Sequence, residues 1–275
     1  MTFGNINAVR LGVNKRMIKK LLNDWRNNKD LLYHLTVSEL KSNTARTYLG
    51  TLWWIVDPIL YMAIYYFLVG IVLDRGGDDY AVYLFTGLIP LKWATACMVD
   101  ATTAISSKAR ILQQVYVPKL TFILVRLGVN TFKFLVSSFI MVLFLYFSGV
   151  ELTFNALNFF ILIVLNLLLL LPIMIIMAHI GVYMKDIKNM MQYISRTLLY
   201  LSPVLFRMER VPADIRGYLY LNPFTDFLVS YRNIFLYKGQ PLWDNLFIIL
   251  GLSLVLLFIG LRILNKYDKQ YAKVI

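Results

Sequence analysis

Three cations stand at seven-residue intervals in one apolar run: Lys119, Arg126 and Lys133. Seven residues is close to two helical turns, so a helix places all three on one stripe. Asn130 and Ser137 fall near the same stripe. At 1.5 Å per residue, Lys133 lies about 21 Å along the helix from Lys119. It is beyond reach of the inner surface unless the helix begins well inside the cytoplasm. Ionisable groups inside spanning helices are costly and mark routes for ions, protons or substrates. A row of cations offers a path to an anion. The alternative is internal pairing, with Asp57 or Asp100 as counter-ion. Lys92, just after Pro90 in another apolar run, poses the same choice, and Asp57 is the one carboxylate well inside a run.

Aromatic residues give a second pattern. Trp54, Tyr61 and Tyr65 fall at i, i+7 and i+11, on one helical face. Rings on one face can stack weakly on sugars and let a chain slide past. Trp and Tyr also gather at membrane interfaces and pack between helices. Tyr61 and Tyr65 are read as channel lining, Trp53 and Trp54 as an inner interfacial belt.

These side chains need spanning elements to hold them. Hydrophobic residues make up 59% of the 275 and charged residues 16%, with a mean hydropathy of +0.64. Soluble domains carry roughly 45–50% apolar and about 25% charged residues. The chain therefore reads as an all-α, multi-pass membrane protein in one transmembrane domain, residues 1–275. Its net charge of +13 suits cytoplasmic loops and anionic lipid rather than nucleic acid. The single cysteine, Cys97, excludes an intramolecular disulfide. The N-terminal twenty residues lack an apolar core of signal-peptide length.

Six stretches suit a crossing of about 20 residues: 53–73, 80–98, 117–147, 154–183, 190–206 and 242–264. The fifth is short and polar. With the N-terminus inside, the inner segments hold nineteen Lys and Arg against six outside. The bias places both termini in the cytoplasm. Residues 30–47 read as an amphipathic helix lying in the inner interface, with Leu31, Leu32, Leu35 and Leu40 near one face. Thr36 and Glu39 have the spacing of a capping box.

Residues 183–241 run through a basic turn, an apolar stretch ending in Ser-Pro, a polar segment, then Leu-Asn-Pro and Tyr-Arg. This order resembles the last third of the ABC-2-type permeases of ABC exporters, which move lipid-linked polysaccharides and teichoic acids across bacterial membranes. The first span, with Leu-Gly-Thr-Leu-Trp followed by Asp57-Pro58, and the segment ILQQVYVPKL at 111–120 resemble the same family. The likeness covers nearly the whole chain and is greatest to wall teichoic acid translocation permeases, with O-antigen or capsular polysaccharide export as the alternative.

The resemblance implies a homodimer in the bacterial cytoplasmic membrane, paired with two copies of a separate ATPase subunit that binds ATP and Mg. This chain would bind no cofactor, and it has no G-x-x-x-x-G-K-[ST] loop. The substrate would be an undecaprenyl-diphosphate-linked polymer. Residues 101–114 take the place of the family's coupling segment, so Ser106, Ser107, Lys108 and Arg110 would face the ATPase. The turn with Lys185 and Asp186 is a second contact. Residues 207–241 would form short external gate helices, involving Asn222, Pro223, Tyr231 and Arg232. Asn222 and Pro223 also suit a plain helix start, and Arg232 could contact phosphate or pair with Asp226.

Other classes fit less well. A proton-driven flippase wants carboxylates within its spans. A membrane glycosyl- or phosphotransferase wants an acidic or histidine cluster. His34 and His179 are far apart, and Asp78-Asp79 sits in a short external loop.

Overall fold

The computed structural model describes residues 29–45, 47–74, 77 and 79–274, and within them the chain is helical apart from short turns and loops. The N-terminal twenty residues, Arg46, Arg75 and Asp78 lie outside the described residues. Helix α1 covers 29–44. Helix α2, Trp53–Tyr65, continues as a π-helix through Tyr66–Val72. There follow α3 (Tyr80–Ala101), a 3-10 turn at Ser106–Lys108, α4 (Ala109–Gln114), α5 (Lys119–Phe147) and α6 (Asn158–Tyr183). Then come α7 (Ile187–Leu201), α8 (Ala213–Leu219), α9 (Pro223–Phe235) and α10 (Trp243–Val274).

Helix α3 is the centre. It is the most buried of the long helices and packs on α5, α6 and α9. Trp93 of α3 stacks on Phe134 of α5 at 4.1 Å between ring centroids, and Phe159 of α6 extends the aromatic layer. Helices α6 and α10 form the most extensive pair. Gly181 of α6 lets that helix meet the end of α3, because a Cβ there would overlap the Thr102 carbonyl. By contrast α2 is almost uncovered, with Ile55, Ile59, Leu60 and Ile64 exposed. Apolar residues so placed need lipid or protein over them.

Five helical stretches, not six, are long and apolar enough to cross a membrane among the described residues: Gly50–Val72, Tyr80–Ala101, Lys119–Phe147, Phe154–Tyr183 and Trp243–Tyr271. The expected fifth span, 190–206, is the first departure, since it is not among them. Helix α7 stops at Leu201, and its 15 residues reach only about 22 Å, short of a hydrocarbon core of about 30 Å. It also carries Lys188, Asn189, Gln192, Ser195 and Arg196. Its end is fixed by Pro203, which cannot continue the helical hydrogen bonds.

The capping-box reading of Thr36 and Glu39 is a second correction. Both lie inside α1. The Thr36 hydroxyl donates to the Leu32 carbonyl at 2.7 Å, and Glu39 is engaged in ion pairs. The amphipathic pattern itself is present, with Leu31 and Leu35 packed on the core.

Candidate substrate cleft and coupling segment

A cleft of about 520 Å3 opens between the end of α1, α2, α3 and α5. Trp54, Asp57, Lys92, Asp100, Asn130 and Lys133 are among its walls. The Lys92 ammonium lies 2.6 Å from the Asp57 carboxylate and 3.9 Å from the centroid of the Tyr61 ring. Asn130 donates to the Asp100 carboxylate at 2.9 Å. Lys133 has no ion-pair partner among the described residues. On the other side of Lys92 a smaller cavity, about 140 Å3, is lined by Tyr61, Tyr65, Thr95, Ser195 and Arg196. The Tyr61 and Tyr65 rings are 6.1 Å apart. Lys92 is thus a wall shared by two cavities, one polar with a free ammonium, the other faced by two phenol rings.

The seven-residue stripe divides in the folded chain. Lys119 is 4% exposed and sits 3.1 Å from Asp268 of α10, which also accepts from the Tyr116 hydroxyl at 2.9 Å. Arg126 faces away from both cavities and pairs with Glu39 of α1, with a weaker contact to the Ser107 hydroxyl at 3.4 Å. Only Lys133 enters the cleft. Asp57, Lys92, Asn130 and Lys133 therefore come together, with Tyr61 and Tyr65 beside them, and Arg126 does not join them.

Ser106, Ser107 and Lys108 form the 3-10 turn, and Arg110 begins α4 with its side chain exposed. Lys108 is engaged, its ammonium lying 3.3 Å from Glu39. Lys185 and Asp186 are exposed in the turn before α7. Sequence reasoning missed Glu39 and Asp268 as the anions that anchor this segment, since each lies far along the chain from the cations it holds.

The segment 207–241 is tied to the break after α7. Asn222 caps α9, its side-chain oxygen accepting from the Phe224 amide at 3.1 Å, with Pro223 in the first turn. Its amide nitrogen donates to the Ser202 hydroxyl at 2.9 Å. Tyr231 is fully buried against Phe159. Arg232, at 2% exposure, forms no ion pair with Asp226. It donates to the Pro203 carbonyl and lies over the Tyr83 ring at 3.5 Å. Asp226 instead accepts from Asn245 at 2.6 Å. The guanidinium is thus enclosed by main-chain carbonyls and an aromatic ring.

With this arrangement in view, comparison with known proteins finds similarity to named export and transport proteins. The chain is 24% identical over 247 residues to the O-antigen export system permease protein RfbA of Klebsiella pneumoniae, covering 90% of this chain and 95% of that protein. It is likewise 24% identical over 256 residues to the RfbA permease of Myxococcus xanthus, covering 92% and 98%. With the polysialic acid transport protein KpsM of Escherichia coli it shares 23% over 240 residues, covering 86% and 92%. No protein-family model matches the sequence.

Proposed function

We propose that the chain is the permease subunit of an ATP-driven exporter of a lipid-linked polysaccharide of the O-antigen or capsular type. The observation that carries this is end-to-end similarity to two kinds of named polysaccharide carrier. A homodimer, two ATPase subunits holding ATP and Mg, and a polyprenyl-diphosphate carrier complete the proposal. Both termini lie in the cytoplasm of a bacterial cell, with the 187–206 segment completing a sixth crossing beside the five long helices. The exposed apolar face of α2 is compatible with a second copy there.

In this reading the diphosphate head group rests in the larger cleft, where Lys133 supplies the unpaired charge. The sugars pass the rings of Tyr61 and Tyr65. The wall teichoic acid reading rested on the first-span pattern and on a polyanion path along Lys119, Arg126 and Lys133. Asp268 and Glu39 match two of those three charges, which weakens the second support, and the names of the relatives favour the polysaccharide reading.

Reconstitution with the partner ATPase tests it. Lipid-linked O-antigen or capsular polysaccharide should raise ATP turnover and appear on the far side of the vesicle. Stimulation by lipid-linked teichoic acid alone would overturn the substrate class. No stimulation by any lipid-linked polymer would overturn the exporter reading.

A further inference from the structure

We infer that Glu39 is a positioning residue that ties the 106–108 turn to the wall of the cleft. The inference rests on the permease reading for its functional consequence, though its geometric part does not. One carboxylate, 10% exposed, receives two cations from two different elements. Lys108 comes from the turn between α3 and α4, and Arg126 from α5. Arg126 in turn reaches Ser107, so the three groups close a triangle across α1, the turn and α5. The same face of α1 lies close to α5 one turn further on, where a Cβ on Gly128 would meet the Thr36 methyl in ordinary van der Waals contact at 3.5 Å.

Helix α5 carries Lys133 into the cleft two turns beyond Arg126. A helix is stiff over that distance, so a shift of the turn pulls on Glu39 and Arg126 and is delivered to Lys133 as a movement of the cleft wall. Two cations on one partly buried carboxylate hold firmly, because removing the anion leaves two like charges close together with little water. Asp cannot span both contacts as well as Glu, since it is one methylene shorter, while Gln keeps the shape and loses the charge.

The test uses the full chain with its ATPase in lipid vesicles, with Ser137→Cys as a reporter in the cleft. The native Cys97 is fully buried and stays silent. Labelling of the reporter by a small water-soluble maleimide is followed with and without ATP. In the parent, ATP should change the labelling rate. In Glu39→Gln that change should be lost, and transport per ATP hydrolysed should fall about tenfold, a coupling of ordinary size. Glu39→Asp should recover part of both. If Glu39→Gln lowers only the amount of folded protein, leaving the ATP-dependent labelling and the transport ratio intact, the inference is overturned. If the parent transports no lipid-linked polymer yet its labelling responds to ATP through Glu39, the polysaccharide reading fails and the positioning role stands. If the parent labelling ignores ATP, the positioning role fails.

Discussion

Arg232 occupies the space that a side chain at Gly87 would need. A Cβ on Gly87 would overlap the guanidinium nitrogen and stand 3.2 Å from its central carbon. The guanidinium cannot easily move away, because it is held by the carbonyl of Pro203 and by the Tyr83 ring. Gly87→Ala should therefore cost about 1–3 kcal/mol, the usual penalty of overpacking. Arg232→Ala should cost at least as much by leaving buried carbonyls without a donor. The two changes share one space, so combining Gly87→Ala with Arg232→Lys should cost less than the sum. Thermal unfolding of the purified chain in detergent reads these variants beside Arg232→Lys alone, and strict additivity would show the contact to be irrelevant.

Lys133 and Arg126 separate a cleft charge from a structural one. Lys133→Ala should lower export while leaving the melting temperature close to that of the parent. Arg126→Ala strips Glu39 of a partner and should destabilise toward the lower end of about 3–5 kcal/mol, the range for a broken buried pair. Export per folded molecule, measured beside the melting temperature, distinguishes them. Equal behaviour of the two variants would mean that both are structural.

Lys108 and Arg110 lie two residues apart and should respond differently to reversal. Arg110 is exposed, so Arg110→Glu should weaken co-purification of the ATPase and leave folding alone. Lys108→Glu puts a carboxylate against Glu39 and should lower stability first. Retention of the ATPase and of transport in Arg110→Glu would remove that residue from the coupling surface.

Tyr61 and Tyr65 should tolerate Phe better than Ala if the rings serve as a sugar platform. Thiols placed at these positions should react with water-soluble reagents, more so during ATP turnover, and the adduct should block export. Thiols that stay unlabelled through turnover in transporting variants would assign both tyrosines to packing.

Asp226 offers a dependence on pH. Burial raises its carboxyl pKa above the ordinary aspartate value, against the opposing hydrogen bond from Asn245. A raised pKa in the folded chain means that folded protein binds the proton more tightly than unfolded protein, so stability falls as pH rises through that window. Asp226→Asn keeps an oxygen for Asn245 and removes the charge. It should raise the melting temperature at neutral pH, with the gain shrinking as pH drops toward the ordinary aspartate range. A variant less stable than the parent at every pH would contradict this.

Much of the fold is legible along the chain, because five spans are set by runs of apolar residues that local reading detects. The break at Ser202-Pro203 and the start at Asn222-Pro223 are legible for the same reason, since turn and cap chemistry is local. The stretch 190–206 is the least legible of the six, because α7 is only 15 residues long and is polar along one face. The site was half legible. Spacing alone aligned Lys119, Arg126 and Lys133, but which of them stay unpaired depends on Glu39 and Asp268, and no local pattern joins those residues to their partners. Arg232 was misplaced likewise, since its acceptors are main-chain carbonyls that no side-chain pattern announces.

The contact between α5 and α10 bears on how the protein is made. Tyr116 and Asp268 are separated by 152 residues, and Lys119 shares that same carboxylate. While the ribosome is still producing α6 to α9, the Lys119 ammonium has no anion to meet. A desolvated lone cation is costly, so the beginning of α5 must wait in contact with water after the rest of that helix has entered the bilayer. It gains its partner carboxylate only when α10 arrives.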